Sequence, residues 1–326
     1  MDGQCFRFDL RNCAPFFGWI SDKEGRRNLI ASGLLMFALS NLLTAGAPSF
    51  AWLLVSRILA GMSVASVTPL IYAIIGDIAP HNRRGSWLSV VVSGHLTALW
   101  AGAPIGILIE SMWGWRSVFA VLASLGAVLA IVNFRTWGKV TVAFTARGKM
   151  QKGNLLRILR SVSVTTVWGI SMYALYVYLG AALHYENGFS SSEVALAVTF
   201  YGIGAVLGSI ASGQMTDKFG EGRISKLTLI LLTLALLGLG IFFSSGDWVY
   251  FFQFMWAFAG YAGFTSYQAR LAMENPNGRG SVMAWNNTAL YIGITLGSML
   301  GGFVITHWGY RALPFVCCGA QPLVLY

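Results

Sequence analysis

The chain has 326 residues, of which 56% are hydrophobic and 10% charged, against about 25% charged in an ordinary soluble domain. Apolar runs of about 20 residues, each able to cross roughly 30 Å of hydrocarbon, recur along it; they exclude a soluble fold and indicate an all-α polytopic membrane protein. A formal charge of +10 would suggest nucleic acid in a soluble protein, but here it has to be read loop by loop.

The N-terminus carries Asp2, Arg7, Asp9 and Arg11 where a signal peptide would have its apolar core, so no cleaved targeting segment is read there. Spans are expected at 28 to 46, 49 to 79, 86 to 109, 115 to 137, 161 to 184, 193 to 213, 224 to 243, 248 to 272 and 281 to 306. A tenth starts at 310 and runs to Tyr326. Connections are short except at 138 to 160, where Lys139, Arg147, Lys149, Lys152, Arg157 and Arg160 occur without an acidic residue. That stretch divides the chain into halves; its Leu155, Leu156, Ile158 and Leu159 fit an interfacial helix as well as a solvated linker.

Seventeen of the 22 Lys and Arg fall in connections on one side, and only Arg116 and Arg311 on the other. Lys/Arg excess marks the cytoplasmic face. The central basic loop is therefore expected in the cytoplasm, with the protein in a plasma membrane of the bacterial inner-membrane kind. The net charge becomes topology, and no nucleic-acid partner is needed. Cys5, Cys13, Cys317 and Cys318 lie near the two ends without metal-ligand spacing. No metal, cofactor or enzyme motif is read.

Offsetting the sequence by 195 residues superposes its halves. Gly18, Asp22, Lys23 and Gly25 fall on Gly213, Asp217, Lys218 and Gly220; Arg84-Gly85-Ser86 falls on Arg279-Gly280-Ser281; Gly102 and Gly106 fall on Gly297 and Gly301. Trp113-Gly114-Trp115-Arg116 falls on Trp308-Gly309-Tyr310-Arg311. Corresponding loops share a side, as in parallel repeats about an axis along the membrane normal. The second half has two spans before Gly213, so two are expected before Gly18, where only 17 residues stand; the last span likewise falls short of its counterpart.

Gly18-Trp19-Ile20-Ser21-Asp22-Lys23-Glu24-Gly25-Arg26-Arg27 resembles the signature loop G-x-x-x-D-[RK]-x-G-R-[RK] of the major facilitator superfamily, and Gly213 to Arg223 resembles its second-half echo. Arg57-Ile58-Leu59-Ala60-Gly61 is similar to the family's R-x-x-x-G motif, and Gly102-Ala103-Pro104-Ile105-Gly106 to the helix motif of drug-type proton antiporters, with an extra Ala and without the final Gly. The resemblance implies two parallel six-helix repeats, of which about ten spans are present. Residues 1-14 are then a non-matching tail, 15-137 an incomplete first repeat, 138-160 a basic cytoplasmic linker and 161-326 the second repeat.

By the same resemblance the first loop is a cytoplasmic gate, with Asp22 bonding the start of the helix at 281 and Arg26 or Arg27 pairing Asp77; Asp217 and Lys218 belong to its echo. Positive-inside anchoring explains the arginines equally. Arg57 lies about 12 Å below the outer end of its span, where a charge is costly. The resemblance gives it a part in proton coupling or substrate binding, and snorkelling is the competing reading. His95 can relay a proton or be a buried hydrogen-bonded imidazole. Glu110 is read as interfacial or as a proton acceptor near an exit path.

Small residues recur at Ala98, Gly102 and Gly106, at Gly204, Gly208 and Ser212, and at Gly293, Gly297 and Gly301. In the family such stripes would lie between the halves, the third having lost its partner; close helix packing alone also explains them. Tyr173, Tyr176, Trp256, Tyr261, Trp285, Asn286 and Asn287 are candidates for a cavity wall. The implied function is proton-coupled efflux of a small organic molecule (a drug, sugar or nucleobase-like metabolite) by alternating access, from a monomer in the lipid bilayer. The alternative is a shortened product without transport activity, at most a membrane-embedded interaction partner.

Overall fold

The computed structural model describes residues 26–136, 154–244, 246–275 and 279–320. Its elements are α1 (Arg26–Ala45), α2 (Phe50–Ile78), α3 (Arg84–Trp113), α4 (Trp115–Thr136), α5 (Asn154–Tyr176), α6 (Leu179–Asn187), α7 (Ser191–Phe219), α8 (Glu221–Ile241), α9 (Asp247–Glu274), α10 (Arg279–Trp308) and α11 (Leu313–Gly319), with single 3-10 turns at His81–Arg83 and Tyr310–Ala312. Among the described residues, seven helical segments are long and apolar enough to cross a membrane; α3 and α9 match them in length.

Local chemistry sets the helix ends. Ser49 caps α2 through the Trp52 N–H at 3.3 Å. Ser190 and Glu193 cap α7 reciprocally, which satisfies two otherwise orphaned N–H groups. The repeat-related pair Gly114 and Gly309 follows α3 and α10 with φ of 80° and 76°, a backbone state that glycine adopts without steric cost.

Two expected boundaries shift. α5 starts at Asn154, so the last seven residues of the expected basic linker are helical. Ile158 is packed there at 5% exposure, so its turn belongs to the bundle rather than to a free linker or surface helix. The expected span 161 to 184 breaks into α5 and α6 at Val177 and Tyr178, whose N–H groups bond to Tyr173 O and Leu175 O.

The glycine stripes pack differently from expectation. Ideal Cβ atoms at Gly204 and Gly208 would run into the Phe254 and Phe258 carbonyls of α9, and Ser212 Oγ donates to Ala262 O at 2.6 Å. Gly293, Gly297 and Gly301 meet the Thr166, Ile170 and Ala174 carbonyls of α5 in the same way. Both stripes therefore hold helices together inside the second half, not between the halves, and the third stripe has a partner in α5. Approach this close lets Cα–H groups meet carbonyls every fourth residue, where apolar burial offers no drive between helices in lipid. Ala98 and Gly102 on α3 are exposed, and Gly102 and Gly106 meet nothing within 4 Å among the described residues; they are not a contact between halves either.

The first half packs α1 between α2 and α4: Ser63 Oγ of α2 donates to Gly33 O at 2.7 Å, and Gly126 of α4 lies against Phe37 and Ala38. Tyr72, Ile75, Leu88 and Val92 of this half join the large core of the second. Overpacking typically costs about 1–3 kcal/mol. Gly208→Leu should therefore lower the detergent melting temperature by several degrees, measured by tryptophan fluorescence; an unchanged melting temperature would contradict the packing described.

Candidate functional site

At the end of the bundle that carries the Lys/Arg-rich connections, two joints between the halves stand out among the described residues. Asp217, in the last turn of α7, accepts the Gly85 N–H at 2.7 Å, the Ser86 N–H at 2.9 Å and the Ser86 hydroxyl at 2.6 Å. The N–H groups of a first helical turn have no intrahelical acceptor, and the helix dipole favours an anion there. The sequence allows this because both helices are bare at the crossing. A Cβ on Gly85 would lie 2.5 Å from Gly213 O, and one on Gly213 would lie 2.7 Å from Gly85 O. This is the second-half image of the bond expected between Asp22 and residue 281. Gly18, Asp22, Lys23 and Gly25, and the side chains of Arg26 and Arg27, lie outside the described residues.

At the second joint Arg279, the first residue of α10, gives Nη1 to Asp77 Oδ1 at 2.5 Å and Nε to Ala272 O at 2.7 Å. Asp77 was expected to pair with Arg26 or Arg27, whose side chains lie outside the described residues; it also accepts from Arg279, whose side chain is only 10% exposed. A guanidinium this enclosed requires a compensating carboxylate. Lys218 is exposed, its ammonium 5.2 Å from the Phe219 ring centroid.

Between α5, α7 and α9 runs an aromatic ladder. Trp168 stacks on Phe264 at 4.6 Å and meets Tyr261 edge-on at 5.5 Å; Tyr201 lies 4.9 Å from Trp256 and 4.8 Å from Tyr176, which lies 5.8 Å from Tyr173. Tyr201 Oη donates to Tyr261 Oη at 3.4 Å. Beside it, Thr165 Oγ1 donates to Asn286 Oδ1 at 2.5 Å, and Asn286 Nδ2 to Gln268 Oε1 at 3.1 Å. Trp256, Tyr261 and Asn286 are buried, whereas Tyr173, Tyr176, Trp285 and Asn287 keep part of their surface open. Thus Tyr173, Tyr176, Trp256 and Tyr261 form one cluster, and Asn286 belongs to an adjoining polar chain. Sequence reasoning missed Tyr201, Trp168, Thr165 and Gln268; an aromatic or small polar residue inside a span carries no signal of which helix it will face. The side-chain amide of Gln253 and the indole N–H groups of Trp256 and Trp285 are buried with no partner among the described residues, a latent hydrogen-bonding capacity inside the bundle.

Arg57 lies away from this ladder, between α1 and α4. Its Nη2 donates to Asn41 Oδ1 at 3.1 Å and to Thr44 Oγ1 at 2.5 Å, and its guanidinium sits 4.6 Å from the centroid of Phe119. Neutral oxygens and a ring face hold the charge. His95 is exposed on α3, as is Glu110, and the side chain of Pro104 lies outside the described residues.

A profile of the Major Facilitator Superfamily matches residues 13–178 and, in a second match, 161–320. Among curated proteins the chain is similar to the uncharacterised MFS-type transporter YbcL of Bacillus subtilis, 27% identical over 300 residues, or 89% of this chain and 75% of that one. Among solved structures it resembles the human organic anion transporter MFSD10, with a TM-score of 0.82 at 19% identity, covering 96% of this chain and 79% of that one. It also resembles the proton:xylose symporter XylE, with a TM-score of 0.78 at 15% identity, covering 96% and 81%.

Losing the Asp217 charge removes charge-assisted hydrogen bonds worth about 1.5–3 kcal/mol each. Asp217→Asn should therefore speed amide hydrogen exchange at Gly85 and Ser86 about tenfold or more, with little change in α9. Equal protection in both proteins would show that the carboxylate does not hold α3.

Proposed function

Since the chain belongs to the major facilitator superfamily, a family of transporters and not of enzymes, we propose that it is a proton-coupled transporter that exports a small organic molecule by alternating access. The observation that carries this reading is the pair of joints between the halves. Asp217 on the start of α3 and Arg279 on Asp77 hold one end of the bundle shut, through contacts that must break together if the halves rock. The basic connections around them make this the cytoplasmic end, in a plasma membrane.

The aromatic ladder supports the substrate class. Ring faces offer stacking to sugars, nucleobases and flat drugs, and the Thr165, Asn286 and Gln268 chain offers donors and acceptors. Tyr173 and Tyr176 at the open edge make first contact; Trp256, Tyr261 and Asn286 become accessible only when the core parts. Arg57, held by neutral partners, and His95, exposed on α3, are the candidates for charge and proton handling, since an ionisable residue inside a span costs stability unless it is used. The helix motif around Gly102 and Gly106 supports efflux.

Proteoliposomes loaded with a pH-sensitive dye test the proposal against a panel of monosaccharides, nucleobases and organic anions. At least one solute should drive proton movement with the intact chain, reduced about tenfold or more in Asp217→Asn. No solute-dependent proton movement in the intact chain would overturn the reading.

A further inference from the structure

Two glutamines of α9 are buried, and they are used differently. Gln268 Oε1 accepts from Asn286 Nδ2 at 3.1 Å and so joins the polar chain that continues to Thr165. Gln253 is 0% exposed, and neither its Nε2 nor its Oε1 has a partner among the described residues. The positions four residues to either side of it, Val249 and Ala257, are apolar and equally buried, so its own helix face offers no side chain to bond. Three residues along α9, Trp256 is also fully buried, with an indole N–H that has no partner among the described residues.

Residues three apart share one face of a helix. A donor and an acceptor at Gln253 and a second donor at Trp256 therefore follow one another along one side of α9. Gln253 stands about 9 Å and Trp256 about 14 Å from Asp247 at the helix start, well inside the span, where unpaired polar atoms are costly. Trp256 ties this face to the aromatic ladder through Tyr201, 4.9 Å away.

A primary amide sets an acceptor and a donor side by side in one plane. Its complement is a planar edge with a donor beside an acceptor, the lactam or amidine edge of a nucleobase, and glutamine pairs with adenine in this way in DNA recognition. A carboxylate presents acceptors alone; it would set an oxygen against Oε1 and bring an unpaired charge into the interior. Vicinal hydroxyls of a sugar can meet the same two atoms, but a heteroaromatic ring adds a π-face for the ladder, and this combination of edge and face is what the side chains match.

We infer that Gln253 and Trp256 are the recognition pair of the transport site proposed above, on which the inference rests, and that they select an uncharged heteroaromatic ring with a lactam or amidine edge. The amide takes the edge, and the indole N–H donates to a ring acceptor. Like Tyr261, the pair is reached when the core parts.

Isothermal titration of the purified full chain in detergent with adenine, hypoxanthine and uracil reads binding independently of transport. At least one base should bind saturably, and about tenfold or more weakly to Gln253→Met, the loss of two neutral hydrogen bonds; D-glucose and benzoate should not bind. Gln253→Met keeps the side-chain length and relieves the penalty of an unpaired buried amide, so it should melt no lower than the parent chain. Trp256→Phe, which keeps a ring and drops the N–H, should weaken base binding as well. A lower melting temperature for Gln253→Met would show that the amide already has a partner in the folded chain and would overturn the inference. Unchanged base affinity in either variant, binding of glucose or benzoate that depends on Gln253, or no base bound by the parent chain would also overturn it. Base binding without solute-driven proton movement in liposomes would remove the transport reading alone, whereas proton movement driven only by a solute that is not such a base would remove the assignment of Gln253.

Discussion

Everything in this structure depends on backbones touching. Inside a membrane the hydrophobic effect does not draw one helix to another, because lipid is as apolar as leucine, so association rests on packing and on polar contacts of short reach. Here α7 lies on α9 and α10 lies on α5 through the same device, a small residue every fourth position facing a carbonyl every fourth position. The α3 and α7 crossing uses it once more, at Gly85 and Gly213, and only because those two residues lack side chains can Asp217 reach two amides and a hydroxyl at the start of α3.

The second half is close-packed in its interior and meets the first along α3 and α7, where Gly213 lies against Ser89, Ser209 Oγ donates to Ser89 O at 3.3 Å and Gly202 lies against Trp100. The large core runs from α5 through α11 and takes in Tyr72, Ile75, Leu88 and Val92 from the first half, while Ile30, Val67, Leu70 and Ile74 form a smaller cluster of their own. Such a division suits movement of one unit against another, since tightly packed cores shift as bodies rather than deform. The two joints differ in kind although both lie at repeat-related helix starts: Arg279 has Asp77, but adding 195 to Asp77 gives Ala272, and the Nε of Arg84, the repeat partner of Arg279, is buried with no partner among the described residues.

Much of this was legible in the sequence. The spans, the membrane class and the family followed from apolar run length and from the loop Gly18 to Arg27; the helix-start bond was expected of Asp22, and the structure describes one at its repeat counterpart, Asp217. The partners of the glycine stripes were not legible. Gly204 and Gly293 announce close approach, but the identity of the approaching helix is a tertiary fact that no spacing along one helix encodes, and transferring the family's arrangement put both stripes at the wrong interface. Tyr201 was invisible for the same reason, whereas Tyr173 and Tyr176 were singled out because the family resemblance put their span at the cavity. Arg57 was legible as a charge inside a span, but not its support by Asn41, Thr44 and Phe119, which come from two other helices.

The Asp217 joint has one more consequence. Its three bonds, at 2.6 to 2.9 Å, share a single carboxylate, and a displacement of about one ångström stretches all of them past useful length. The connection therefore has no intermediate stiffness to offer. The distance over which its bonds would be lost is set by the reach of a hydrogen bond rather than by the flexibility of either half.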